Sequence, residues 1–335
     1  MKNFKSRMIA DGAVCTALTV LLAVIAIYIP IFSIVSVAVV GIPLTYLGIK
    51  HGLGLSCTAA VAAVLVLFAL TGNFISIVLF GVTNMLPGIA MGYCVKNKKS
   101  FKLSIAIVSA GVLAGLMLQL LVINYSVDGN GISKMIDETI NSTKDIMSSL
   151  FGELSGTGIG QEMNITSGTL NDAFELMREY IYLYMPSFVI GSSVVIGYVI
   201  YMFGAFILRI IRFGNIPSMP FKYIHATRGI CYGAVILMLI TTFSESTSVF
   251  MSALRNLQAL LYAFIGVSGF AFIDYKLSSK IKSGYGRFGI YCIVFLSGYL
   301  FISFIVSILT FVGLFDGMFN YRRIGKAGGN DAKHR

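Results

Sequence analysis

Residues 8–94 are almost continuously apolar, and the acidic, basic and imidazole side chains in that stretch are limited to Asp11, Lys50 and His51. A helix needs about 20 apolar residues to cross a bilayer, so a run of this length predicts roughly four crossings. Three breaks divide it where crossings should end: Tyr28-Ile29-Pro30, Lys50-His51-Gly52 and Thr71-Gly72-Asn73. With 57% hydrophobic and 12% charged residues, a chain of 335 residues has too little polar surface to cover a water-soluble globule. The expected class is all-α: a multi-pass helical protein of the cell membrane with about 8 to 10 transmembrane segments, its main partner the lipid bilayer.

Basic residues gather in the cytoplasmic loops of membrane proteins, which sets an orientation. Lys2, Lys5 and Arg7 precede a first span over 8–28 and place the N-terminus in the cytoplasm. Spans over 31–49, 53–71 and 74–94 then bring Lys50 and His51, and after them Lys96, Lys98, Lys99 and Lys102, to the same side. The first span is full length and no small-residue cleavage pattern follows it, so it is expected to stay in the mature protein.

A fifth span over 103–124 leads into the long polar segment 125–184, which carries nine acids against three bases, a net charge of −6. The rest of the chain is +17, and this asymmetry places the segment outside the cell. Ile132, Ile136, Ile140, Met147 and Phe151 recur near helical spacing, as do Leu170, Phe174, Met177 and Ile181 beyond the Gly-rich break 156–160. Two amphipathic helices lying over the outer face are expected, the second opening on a capping-box-like Thr169-Leu170-Asn171-Asp172.

A sixth span over 186–208 returns to Arg209 and Arg212, and the Pro-broken stretch 214–222 reads as an interfacial connector. Residues 229–243 and 257–274 form a further pair of crossings that ends at Lys276, Lys280, Lys282 and Arg287. The C-terminal apolar stretch is either one span over 290–314 or a tight hairpin over 288–321. Only the hairpin keeps Arg322, Arg323, Lys326, Lys333 and Arg335 on the cytoplasmic side, which favours it. The expected organisation is a six-span domain over 1–212, bearing the insert 125–184, and a membrane extension over 213–335.

The net charge of +11 does not point to nucleic acid, because no basic patch is interleaved with stacking aromatics. His51, His225 and His334 are scattered, so neither a metal site nor a Ser-His-acid constellation is expected. There is no Gly-rich phosphate loop ending in Lys-Ser or Lys-Thr, no cofactor is implied, and an enzyme is not expected. The five cysteines fall in or beside the spans and the acidic insert has none, so no disulfide framework is implied.

Two patterns within the spans remain as candidate sites. Small residues four apart let helix backbones approach closely in lipid: Ala13 and Ala17, Ala59 and Ala63, Gly88 and Gly92, Gly111 and Gly115. The glycine pairs are expected to pack within the chain, and Ala13 and Ala17 to meet a partner helix. Asn73, Asn84, Gln119 and Asn124 are amides within or at the ends of spans four and five, where polar groups need a partner or a cavity. They are candidates for binding a small neutral or weakly charged solute beneath the insert, with interhelical hydrogen bonding as the alternative.

Six spans, Ala13-x-x-x-Ala17, Gly41-Ile42-Pro43-Leu44, Gly52-Leu53-Gly54 and Asn84-x-x-Pro87-Gly88-x-x-x-Gly92 resemble the substrate-binding S component of energy-coupling-factor transporters. Over most of its length the chain resembles the YybS-like family of predicted membrane proteins. The residues that carry this are Arg255-Asn256-Leu257, Gly266, Asp274-Tyr275-Lys276 and Gly313-Leu314-Phe315-Asp316 before Arg322-Arg323. The S-component resemblance implies a small-solute-binding fold that docks on a transporter's coupling subunit through the span-one alanines. The chain departs from it by adding about 120 residues after the sixth span and by its long insert, so a membrane scaffold or regulatory subunit without a ligand is the alternative.

Overall fold

The computed structural model describes residues 2–126, 129–155, 167–213, 216–244, 248–297, 302–322 and 324. Those residues form α-helices with one short 3-10 turn, and contain no strand. Among the described residues six helices are long and apolar enough to cross a membrane by length and composition. The chain divides into two compact units, one of residues 1–185 and 189–218, the other of 186–188 and 219–335.

Unit 1 begins with α1 (Lys2–Tyr28), α2 (Pro30–Val39), α3 (Ile42–Lys50), α4 (Leu53–Thr71), α5 (Phe74–Lys96) and α6 (Phe101–Tyr125). The predicted breaks are where helices end. Gly52, with φ 103°, precedes α4, and Gly72, in the left-handed conformation at φ 73°, closes it. Asn73 then caps α5 by accepting a hydrogen bond from the Ser76 N–H at 3.1 Å.

The second crossing differs from expectation: instead of one span over 31–49 there are two short helices broken at Val40 and Gly41. Pro43 sits in the first turn of α3, where it lacks the N–H that a continuous helix would bond to Val39. At the break Gly41 lies against α5 so closely that a Cβ added there would sit 2.9 Å from the Gly88 Cα. Seven residues on, the same test at Gly48 gives 3.2 Å to the Gly92 Cα. The Gly88 and Gly92 pair is thus spent on α3, and Gly111 and Gly115 face Pro87 and Thr83 of α5, inside the chain as expected.

The insert holds α7 (Gly131–Ser155), and it is followed by α8 (Ser167–Ile210), a single helix of 44 residues. The second amphipathic helix is therefore not a separate element over the outer face but the first part of the sixth crossing. At 1.5 Å per residue α8 is about 66 Å long, roughly twice a hydrocarbon core, and it continues through Pro186. The Gly-rich break 156–160 lies outside the described residues. The apolar stripes meet only in part: Ile132, Ile136 and Ile140 pack on Phe174, while Met147, Met177 and Ile181 stay exposed. Arg178 of α8 donates from Nε to Asp137 of α7 at 3.1 Å and pins the contact.

Unit 2 contains a 3-10 turn (Phe221–Tyr223), α9 (Arg228–Phe243), α10 (Val249–Lys280), α11 (Gly284–Ser297) and α12 (Ile302–Phe319). Where one span or a hairpin was open from sequence, the C-terminal stretch forms two helices. α10 and α12 cross so closely that a Cβ on Gly269 would overlap the Leu309 carbonyl, and one on Gly313 the Ile265 carbonyl. Arg322, just past α12, reaches Ser268 of α10, and Arg287 at the start of α11 reaches Asp274 near the end of α10. The ends of α10 and α12 thus lie at the same end of the unit.

Candidate functional site

On α1 the periodic small residues split between two faces. Gly12, Cys15, Thr19 and Ala23 are buried against the rest of unit 1, whereas Ala13 and Ala17 are exposed. The two alanines lie in an apolar groove of about 650 Å³ between α1 and α4, with Thr16, Val20, Ala62 and Val66. The Thr16 hydroxyl donates to the Gly12 carbonyl at 2.9 Å, which leaves the groove without an unsatisfied polar group of its own.

A cluster that sequence spacing did not reveal lies toward the N-terminal end of the same helix. Asp11 Oδ2 lies 2.7 Å from His51 Nε2 and 2.6 Å from Lys50 Nζ, and the His51 side chain is only 6% exposed. Lys50 also donates to the Tyr46 hydroxyl at 3.1 Å. Forty positions of sequence separate Asp11 from His51. The signal available was that Asp11 is a lone acid one turn inside a span, which calls for a cation nearby.

The four amides take separate roles. Asn84 is buried; its Oδ1 accepts from the Ser36 hydroxyl at 3.0 Å and its Nδ2 donates to the Phe80 carbonyl at 2.9 Å. Asn73 is an exposed cap, Gln119 is exposed on α6 and Asn124 is half-buried near the end of α6. Among the described residues, no hydrogen bond joins one of these amides to another.

Unit 2 buries complete charges. The Arg322 side chain is fully buried and that of Asp316 is 3% exposed, with Nη2 2.6 Å from Oδ2. Arg322 Nη1 also donates to the Lys222 carbonyl at 2.8 Å, and Nη2 to the Ser268 hydroxyl at 3.3 Å. That hydroxyl oxygen accepts from the Ala226 N–H at 2.9 Å, so one guanidinium ties the α12 end, α10 and the connector before α9 together. Among the described residues Asp316 Oδ1 is buried without a hydrogen-bond partner. A second pair lies at the same end of the unit: Asp274 Oδ1 accepts from Arg287 Nε at 2.8 Å and from the Tyr291 hydroxyl at 2.7 Å. Burying a carboxylate-guanidinium pair costs the hydration of both groups, which only close geometry and further hydrogen bonds offset.

Among the described residues no three His, Cys, Asp or Glu side chains are grouped to hold a metal ion. The family described as "Predicted membrane protein (DUF2232)" matches residues 17–317, nearly the whole of this architecture. The chain belongs to that family. It is also similar to "Uncharacterized protein YybS" of Bacillus subtilis (strain 168), with 22% identity over 287 residues, covering 82% of this chain and 86% of that protein. No solved structure matches the chain. The residues singled out in unit 2, from Asp274 to Asp316, fall inside the matched range, and Arg322 lies five positions beyond it.

Proposed function

We propose that this DUF2232 protein is a non-catalytic, transport-associated membrane subunit that meets a helix of a coupling subunit through Ala13 and Ala17, with its N-terminus in the cytoplasm. The observation that carries the reading is the division of α1. One face of small residues is used inside unit 1, while the alanine face is left at the floor of a groove without polar demands. A partner helix seated there gains close backbone approach, the main source of helix association in lipid. Ala13→Trp and Ala17→Trp should each abolish co-purification with that partner and leave expression intact. Retained co-purification overturns the proposal, and lost expression would mean that the face packs within unit 1.

A second reading adds a small neutral or weakly charged solute, and the buried Asn84 amide favours it. An amide among apolar helices is a directional group that a polar ligand can share. Native mass spectrometry of the purified chain tests this: a co-purifying small molecule lost in Asn84→Leu supports a solute subunit. A chain that carries none in either form leaves the scaffold role.

A further inference from the structure

Between α9, α10 and α12 lies a cleft of about 700 Å³, lined by Val235, Tyr262, Gly266, Phe270, Thr310 and Leu314 among others. Its hydroxyls on α12 are already used: Thr310 donates to the Val306 carbonyl at 2.9 Å and Ser307 to the Ser303 carbonyl at 2.8 Å. A polar solute would find little to bind there, whereas a hydrocarbon chain would lose nothing on entering. Phe270 closes one end of the cleft, with its ring centroid 5.2 Å from Phe221 and 4.8 Å from Tyr291.

That end is cationic. Arg287 and Arg322 are neutralised by Asp274 and Asp316, but Lys222 and Arg228 pair with no carboxylate among the described residues. Lys222 follows Phe221 directly and its backbone is fixed by Arg322, so the loop presenting it is held in place from within. Arg228 is exposed and lies seven residues before Val235, two turns along the same face of α9 and therefore about 10 Å from the cleft wall. Basic pockets between membrane helices recognise anionic head groups. We propose that this cleft holds an acyl chain of an anionic phospholipid whose phosphate is bound by Lys222 and Arg228, with Arg322 acting as a positioning residue for Lys222.

The chain contains no tryptophan, so one placed in the cleft is a clean reporter. Full-length Tyr262→Trp, and separately Phe311→Trp in case the first does not fold, is reconstituted into phosphatidylcholine vesicles containing a minor fraction of phosphatidylglycerol. Bromination of one lipid or the other then reports which one contacts the indole. Two cations acting together should give brominated phosphatidylglycerol roughly a thirtyfold preference at the cleft over brominated phosphatidylcholine. Ile236→Trp, on an exposed part of α9, should show none. Adding Lys222→Gln and Arg228→Gln should remove the preference while quenching by phosphatidylcholine persists. Equal quenching by the two lipids at the cleft, or a preference that survives loss of both cations, overturns the proposal.

Discussion

In unit 1 the closest helix crossings are made by backbone on backbone and finished with neutral hydrogen bonds. Gly41 and Gly48 meet Gly88 and Gly92, while Thr45 donates to the Gly88 carbonyl at 2.8 Å and Ser56 to the Leu44 carbonyl at 2.8 Å. Unit 2 has an equally close crossing at Gly269 and Gly313 but ends it in full charges, the buried Arg322–Asp316 and Asp274–Arg287 pairs. Neutral interhelical hydrogen bonds in membranes are worth roughly 0.6 kcal/mol each, because the separated helices also find partners. A buried charge has no such substitute. At these crossings unit 1 should therefore tolerate loss of any one neutral hydrogen bond, whereas unit 2 depends on a guanidinium just past α12.

The largest effect expected is at that guanidinium. Arg322→Ala strands the Asp316 carboxylate, and Asp316→Ala strands Arg322, so each should lower stability by about 3–5 kcal/mol. Removing both should cost less than the sum of the two, because no isolated charge remains. Unfolding titrations of the reconstituted protein, followed by probes in unit 2, read this directly. A single variant that costs no more than a neutral hydrogen bond would erase the distinction between the units.

Substitution of the crossing glycines should affect the two units alike. Gly88→Ala and Gly313→Ala each drive a methyl into a facing carbonyl, and overpacking of this kind costs about 1–3 kcal/mol. Gly54→Ala, where an added Cβ meets nothing within 4 Å, is the control and should be neutral or slightly stabilising. If Gly313→Ala were harmless and Gly88→Ala were not, unit 2 would be held by its charges alone.

Much of this contrast was unreadable from the chain in one dimension. The helix ends at Gly52, Gly72 and Asn73 were legible because turn and cap residues act locally, and the apolar lengths of α4, α5 and α6 follow from the thickness of a bilayer. The break at Gly41 was less visible: Pro43 is tolerated at the start of a helix as well as in a kink, and only the facing Gly88 makes the break useful. The continuity of α8 is not legible in composition, because the insert's polarity ends near Pro186 while the backbone runs on through it. Buried charge pairs were hidden for a different reason. Asp316 and Arg322 are close in sequence, but the contacts that bury Arg322 come from Lys222 and Ser268, which only the folded chain brings to it.

The smallest effect is expected at the one candidate amide buried in unit 1. Asn84→Leu removes two hydrogen bonds, yet neither partner is stranded. The Ser36 hydroxyl keeps its bond to the Ser33 carbonyl at 2.7 Å, and the Phe80 carbonyl remains within the α5 helix ladder through the Asn84 backbone N–H. The added apolar volume is compatible with a site among membrane helices, so the loss should be roughly 0.6 kcal/mol for the one interhelical bond, several-fold smaller than at Arg322. Comparing unfolding of the protein and of Asn84→Leu, each before and after exhaustive dialysis, separates packing from binding. If the amide anchors a solute, the two proteins differ more before dialysis than after it. If it is a packing contact, the small difference survives dialysis, and a gain in stability for Asn84→Leu would place unit 1 with scaffolds, where an apolar side chain serves the same crossing better.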